Sequence, residues 1–166
     1  MRILQIVAHP ATSSFTLDLA AAYRAGAEKA DNEVTWFNVY EEDAPGVQEI
    51  QRLVLEYDAL CFAFPCWWEM PPAKLVELLQ TVFVKGFAFD LNGDKMVPLI
   101  RKNADVIISM GQNKNYDSNN MSMAMEYCGI QPSFHVFSNI GPRLTEFEAK
   151  QNLLSANKIG YTAFKL

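Results

Sequence analysis

Two stretches of the chain carry residue types that could do chemistry. The first is His9-Pro10-Ala11-Thr12-Ser13-Ser14-Phe15-Thr16, one imidazole and four hydroxyls placed immediately before an apolar stretch with helical spacing. Unpaired N–H groups at a helix start, with hydroxyls and a histidine beside them, make an anion site suited to a phosphate. Read alone, the same residues also describe an ordinary helix capped by serine. Neither G-x-x-x-x-G-K-[ST] nor G-x-G-x-x-G is present, so the stretch is not a nucleotide-binding loop of either of those kinds. The second stretch runs from Ala59 to Ala73, A-L-C-F-A-F-P-C-W-W-E-M-P-P-A. Its apolar part, Leu60 to Phe64, suits a parallel strand buried on both faces. Pro65, Cys66, Trp67, Trp68 and Glu69 follow, and then Pro71 and Pro72, which exclude helix before them and fit the first turn of one after them. Two tryptophans on a loop at the carboxyl end of a buried strand mark a place where a flat aromatic ligand could lie.

These stretches need a scaffold, and the apolar periodicity supplies one. Residues 2 to 8 read as a strand, Phe15 to Lys29 as a helix with Ser13 or Ser14 as cap, and Val34 to Val39 as a second strand. Gly46 to Tyr57 reads as a helix, then come the Leu60–Phe64 strand and a helix from Ala73 to Phe83. The aromatic loop Gly86-Phe87-Ala88-Phe89 and the turn Leu91-Asn92-Gly93-Asp94 lead to a short extra strand at Met96 to Ile100. Ala104 to Met110 is the next main strand. The polar loop Gln112 to Asn120 precedes a methionine-rich helix that ends near Gly129. Ser133 to Phe137 is the last strand, and Thr145 caps the final helix. Strands alternating with helices in this way imply a three-layer α/β sandwich. The expected arrangement is a five-stranded parallel sheet of flavodoxin-like order 2-1-3-4-5 with helices on both faces. Its ligand crevice would lie between strands 1 and 3, where both stretches end.

Composition narrows the function classes. With 166 residues, half of them hydrophobic, the chain is expected to form a single domain over 1–166. A formal net charge of -5 and the lack of any basic run exclude a nucleic-acid footprint or an electrostatic membrane anchor. No apolar stretch reaches the ~20 residues of a membrane span. Cys61, Cys66 and Cys128 form neither a metal spacing nor an even disulfide set, which points to a reduced, cytoplasmic setting. No metal site is expected. His135 lies mid-strand and reads as a packed or edge histidine rather than a catalytic one. On a helix, Met121, Met123, Met125 and Tyr127 cannot all face one way, so some of them should be exposed.

Taken together, His9-Pro10 … Ser14-Phe15, Phe64-Pro65-Cys66-Trp67-Trp68 … Met70-Pro71-Pro72-Ala73 and Gly86-Phe87-Ala88-Phe89 resemble the NAD(P)H:quinone oxidoreductase family of flavodoxin-like flavoproteins. That family includes bacterial quinone reductases and potassium-efflux ancillary proteins. The resemblance covers nearly the whole chain. It implies that His9, Ser13, Ser14, Phe15 and Thr16 hold a flavin phosphate and ribityl chain, and that Pro65, Cys66, Trp67 and Trp68 lie along the isoalloxazine. The family's third flavin loop falls on Ser109, Met110, Gly111 and Gln112, with Tyr116 near a catalytic tyrosine and Phe87 and Phe89 as a substrate wall in a homodimer. The implied activity is two-electron, ping-pong reduction of quinones or related electrophiles by NAD(P)H, with FMN (or FAD) as cofactor. FMN is preferred because little chain follows the last helix to cover an adenosine. The alternative is a flavin- or nucleotide-binding regulatory subunit of a partner such as a cation-efflux system. The chain departs from the family pattern at Glu69, Gln80-Thr81 and Gln112, where a small or apolar residue, an acidic-arginine pair and a glycine are usual.

Overall fold

The structure, a computed structural model, describes residues 1–112 and 116–164. Asn113, Lys114 and Asn115 of the asparagine-rich loop lie outside the described residues. The main sheet is built from β1 (Arg2–Val7), β2 (Glu33–Asn38), β3 (Ala59–Cys66), β6 (Lys102–Met110) and β7 (Ile130–Phe137), all parallel. Between β3 and β6 the chain forms an antiparallel hairpin of β4 (Phe89–Asn92) and β5 (Lys95–Pro98). The strand order is therefore β2-β1-β3-β6-β7, which corrects the expected 2-1-3-4-5. The difference arises at the hairpin. Phe89–Asn92 is short and mostly exposed, so it shows no apolar alternation, and only its partner was anticipated, at Met96 to Ile100.

The helices are α1 (Phe15–Lys29), α2 (Val47–Glu56), α3 (Ala73–Val82), α4 (Asn119–Tyr127) and α5 (Glu146–Thr162). Alternation along the strands divides the core in two. Leu4, Ile6, Leu60, Phe62, Phe64, Val106 and Ile108 pack with α2, α3 and α4. Ile3, Val7, Ala59, Cys61, Ala63 and Ile107 pack with α1 and α5. The second face is lined by smaller side chains, and its two helices touch backbone to backbone. A Cβ on Gly26 would sit 1.9 Å from the Asn157 carbonyl oxygen, and one on Gly160 would sit 2.0 Å from that of Tyr23.

That face also buries a row of polar groups. The Tyr23 hydroxyl donates to Asp105 Oδ2 at 2.8 Å, and His135 Nε2 meets Asp105 Oδ1 at 2.8 Å. The Gln5 amide donates to the Ala20 carbonyl at 2.9 Å. No buried side-chain nitrogen or oxygen among the described residues lacks a partner. His135 is thus a half-buried residue of an edge strand, held by Asp105. On α4, Met121 and Met125 are buried while Met123 and Tyr127 are exposed.

Candidate active site

The carboxyl ends of β1, β3 and β6 bring three loops together. Val7 and Ala63 are neighbours in the β1–β3 ladder, as are Cys66 and Met110 in the β3–β6 ladder. β3 continues two residues past the expected Phe64, because Pro65 sits near the strand end, where a missing N–H costs little ladder bonding.

The first loop is clamped from β2. The Asn38 side chain accepts the His9 N–H at 3.2 Å and donates to the His9 carbonyl at 2.8 Å. Asn38 was not anticipated, since its partner is far away in sequence and a polar residue closing a strand carries no distinctive signal. His9 Nδ1 accepts the Ala11 N–H at 3.1 Å, which leaves Nε2 as the proton-bearing nitrogen of the neutral ring. Partial burial lowers the His9 pKa below its ordinary 6.5. α1 then starts at Phe15, where the Ser14 hydroxyl accepts the Leu17 N–H at 3.3 Å. The N–H groups of the first turn and the exposed Ser13 hydroxyl stay at the positive end of the helix dipole. Thr16 does not face that anion site. Its buried hydroxyl meets the buried Ser109 hydroxyl at 2.7 Å, fastening the start of α1 to the end of β6.

The loop after β3 is a tight two-residue reversal. Trp67 and Met70 exchange N–H···O=C bonds of 3.0 and 2.9 Å. Between them Trp68 (φ 56°) and Glu69 (φ 62°) both occupy the left-handed region. Side chains there cost about 1–2 kcal/mol per residue, which is why glycine and asparagine usually fill such turns. Strain of this kind concentrates at functional sites. The turn leaves Trp68 92% exposed, and its neighbour Trp67 sets its ring edge-on to that of His9 at 5.7 Å.

Cys66, Trp67, Trp68, Glu69, Met110, Gly111 and Gln112 line one cavity of about 530 Å³. Six of these residues are among the expected cofactor contacts, and Glu69 joins them. His9 touches this group through Trp67, and Ser109 and Thr16 support it from below. Pro65 is buried in the strand. Ser13, Ser14 and Phe15 stand on the first loop and the start of α1, outside the residues lining this cavity. The Cys66 thiol is pushed up by burial and by the charge of Glu69, so it stays protonated at neutral pH. Tyr116 packs against the core beside Phe134, ring centroids 6.2 Å apart. Burial, with Cys66 and Asp117, pushes its phenol up to about 12. Phe87 and Phe89 do not line the cavity. Phe89 borders a separate apolar cleft with Leu79, Phe83, Met96, Met125 and Cys128.

Residues 1–156 match the family described as having the flavodoxin-like fold, and the chain belongs to that family. It is 26% identical to a protein of Escherichia coli named "uncharacterized NAD(P)H oxidoreductase YcaK", across 78% of this chain and 79% of that one. Its fold is similar to that of an NAD(P)H:quinone oxidoreductase from Methanothermobacter marburgensis (TM-score 0.79, 21% identity, 100% of this chain and 98% of that one). It is also similar to an FMN-dependent NADH-azoreductase from Bacillus anthracis in complex with FMN (TM-score 0.79, 15% identity, 97% of each chain). Among the described residues no helix is long and apolar enough to cross a membrane.

Proposed function

We propose that the chain is a flavin-dependent NAD(P)H oxidoreductase that reduces quinones or related electrophiles by two electrons. The observation that carries this reading is the convergence of an aromatic-walled cavity of about 530 Å³ and an anion-ready helix start at one edge of the sheet. The names of similar proteins point the same way. The donor set suits FMN. Ser13, the first-turn N–H groups of α1 and the Nε2–H of His9 would hold its phosphate, while Cys66, Trp67, Trp68, Met110, Gly111 and Gln112 would surround its ring, with Pro65 and Ser109 buried behind them in the strands. When bound, FMN supplies the two-electron chemistry that amino acids lack. The chain's own residues bind and orient. Tyr116, whose hydroxyl is directed at Met121 Sδ 4.0 Å away in this structure, keeps its proton at neutral pH and would turn to donate a hydrogen bond to the acceptor's oxygen.

In this reading residues 1–166 work as one cytoplasmic domain and pair as a homodimer. Leu91, Met96, Met123 and Tyr127 form exposed apolar surface on the hairpin and α4, on the side where Phe87 and Phe89 would meet a partner's site. Donor and acceptor take turns at one open cavity, so the kinetics are ping-pong. Initial rates of FMN-reconstituted protein with NADH or NADPH and 2-methyl-1,4-naphthoquinone test this. Parallel double-reciprocal lines are expected; intersecting lines would overturn the shared-cavity reading, and absence of turnover would overturn the activity.

A further inference from the structure

We propose that Asn38 is a positioning residue for the flavin phosphate: by holding His9 in place from the end of β2, it makes the site select a phosphorylated flavin over riboflavin. The inference rests on the oxidoreductase reading and assigns a residue to the phosphate end of that same site.

The need for such a residue follows from the strand ladder. Along β1 the main-chain groups turn alternately to the two neighbouring strands. The Val7 carbonyl accepts the Val39 N–H at 2.9 Å on the β2 side, and Ala8 donates to the Ala63 carbonyl at 2.9 Å on the β3 side. His9 faces β2 again, but there the main chain has left the sheet in a turn, closed by the Glu41 N–H on the Asn38 carbonyl at 3.0 Å. The Asn38 carboxamide takes the place of the missing strand residue. Its Oδ1 accepts the His9 N–H at 3.2 Å, and its Nδ2 donates to the His9 carbonyl at 2.8 Å. Oδ1 also accepts the Tyr40 N–H at 3.2 Å, which ties the clamp to the turn. Exchanging the amide oxygen and nitrogen would set the NH2 group against two N–H donors, so only one orientation satisfies the network. An aspartate of the same shape would set an oxygen against the His9 carbonyl and bring a negative charge towards a phosphate.

The clamp reaches the phosphate end through His9. The imidazole is fixed to the loop by the Ala11 N–H on Nδ1, so the direction of Nε2–H follows the His9 backbone. Residues 8–14 form neither strand nor helix, and a cavity of about 490 Å³ borders them, lined in part by Pro10, Ala11, Thr12, Asn38 and Tyr40. Without the carboxamide the loop has room to move on that side. Donors serve a charged ligand best when they are held in place before it arrives.

The test measures dissociation constants of FMN and riboflavin, from flavin fluorescence, for wild type and Asn38→Ala. Riboflavin has the ring and ribityl chain but no phosphate, so the ratio of its constant to that of FMN reads the phosphate end alone. Losing the alignment of a donor to a charged group costs about 10-fold, so Asn38→Ala should lower the ratio by about that factor and leave the riboflavin constant within about 2-fold. An unchanged ratio would overturn the proposal. So would an equal loss for both flavins, which would make Asn38 merely structural. A second measurement needs no variant. Coupling is reciprocal, so if Asn38 aids phosphate binding, bound phosphate must steady Asn38. The Tyr40 amide reports on Asn38 Oδ1 without belonging to the loop. In wild type its hydrogen exchange should be about 10-fold slower with saturating FMN than with saturating riboflavin. Equal rates would overturn the proposal even where Asn38→Ala fails to fold. If wild type binds riboflavin as tightly as FMN, the phosphate end is misplaced and this inference falls while the oxidoreductase reading stands. If it binds neither flavin, both fall together.

Discussion

The bond between Thr16 and Ser109 links the fold to the site, and breaking it has a calculable consequence. Both hydroxyls are buried, at 4% exposure, and stand 2.7 Å apart. Thr16→Val keeps the shape of the side chain but leaves the Ser109 hydroxyl in the core without its partner. Such an orphan costs about 1–3 kcal/mol, more than the net value of the bond itself, about 0.5–1.5 kcal/mol. Ser109→Ala leaves the Thr16 hydroxyl in the same position. Thr16 lies in the first turn of α1, so no helical carbonyl four residues back is available to rescue it. The double variant removes both polar groups and loses only about 1 kcal/mol. The single variants should therefore sum to about 2–6 kcal/mol, about 1–5 kcal/mol more than the double variant loses. For a chain of this size each kcal/mol moves the melting temperature by about 2–4 °C. Urea unfolding of the four proteins measures the coupling, and FMN titration of the same set should show weaker binding in the singles, since α1 and the end of β6 carry adjoining parts of the site. Strictly additive losses would refute the claim that these hydroxyls satisfy each other.

Three further outcomes follow from the geometry. Gly26→Ala or Gly160→Ala places a methyl group within about 2 Å of a carbonyl oxygen on the facing helix. Although alanine gains about 1 kcal/mol in an open helix, each variant should melt lower, by about 1–3 kcal/mol net; a rise in melting temperature would contradict the packing described. His9→Ala should weaken FMN binding about 10-fold by removing a donor to a charged group. His135→Ala should leave that affinity alone and lower stability, because Asp105 keeps only the Tyr23 hydroxyl; reversed effects would misplace the crevice. In unliganded protein the folded His9 pKa lies below 6.5, so between those two values the unfolded chain binds more protons. Its contribution to stability is thus complete above about pH 6.5 and is lost as the pH falls through the lowered value. An NMR titration should give a His9 midpoint below 6.5 that rises when FMN binds; a free-protein midpoint above 6.5 would contradict its burial.

The parts of this architecture that the sequence exposed are those governed by local pattern. α1 runs from Phe15 to Lys29 as expected, because a serine cap, helical apolar spacing and the left-handed Asp31 turn all act within a few residues. The capping box of Thr145 and Glu148 is local in the same sense. The aromatic half of the candidate site was legible because Trp67 and Trp68 are out of place on a polar loop. What stayed hidden depends on partners distant in the chain. Nothing near Asn38 shows that it clamps His9, and nothing near His135 points to Asp105 and through it to Tyr23. The turn at Trp68 and Glu69 was hidden for a different reason: it takes a backbone conformation that its own residues disfavour, so propensity argues against it. Thr16 was legible as a hydroxyl near the anion site but not as one turned inward to Ser109, since a hydroxyl suits either role.

The most direct test of the central claim is the visible absorption spectrum of FMN-reconstituted protein, followed without oxygen as NADPH and then NADH are added. The account predicts a bound-flavin spectrum that bleaches with one of these donors and recovers when 2-methyl-1,4-naphthoquinone is added. Protein that retains no FMN, or a bound spectrum that neither donor bleaches, would contradict it.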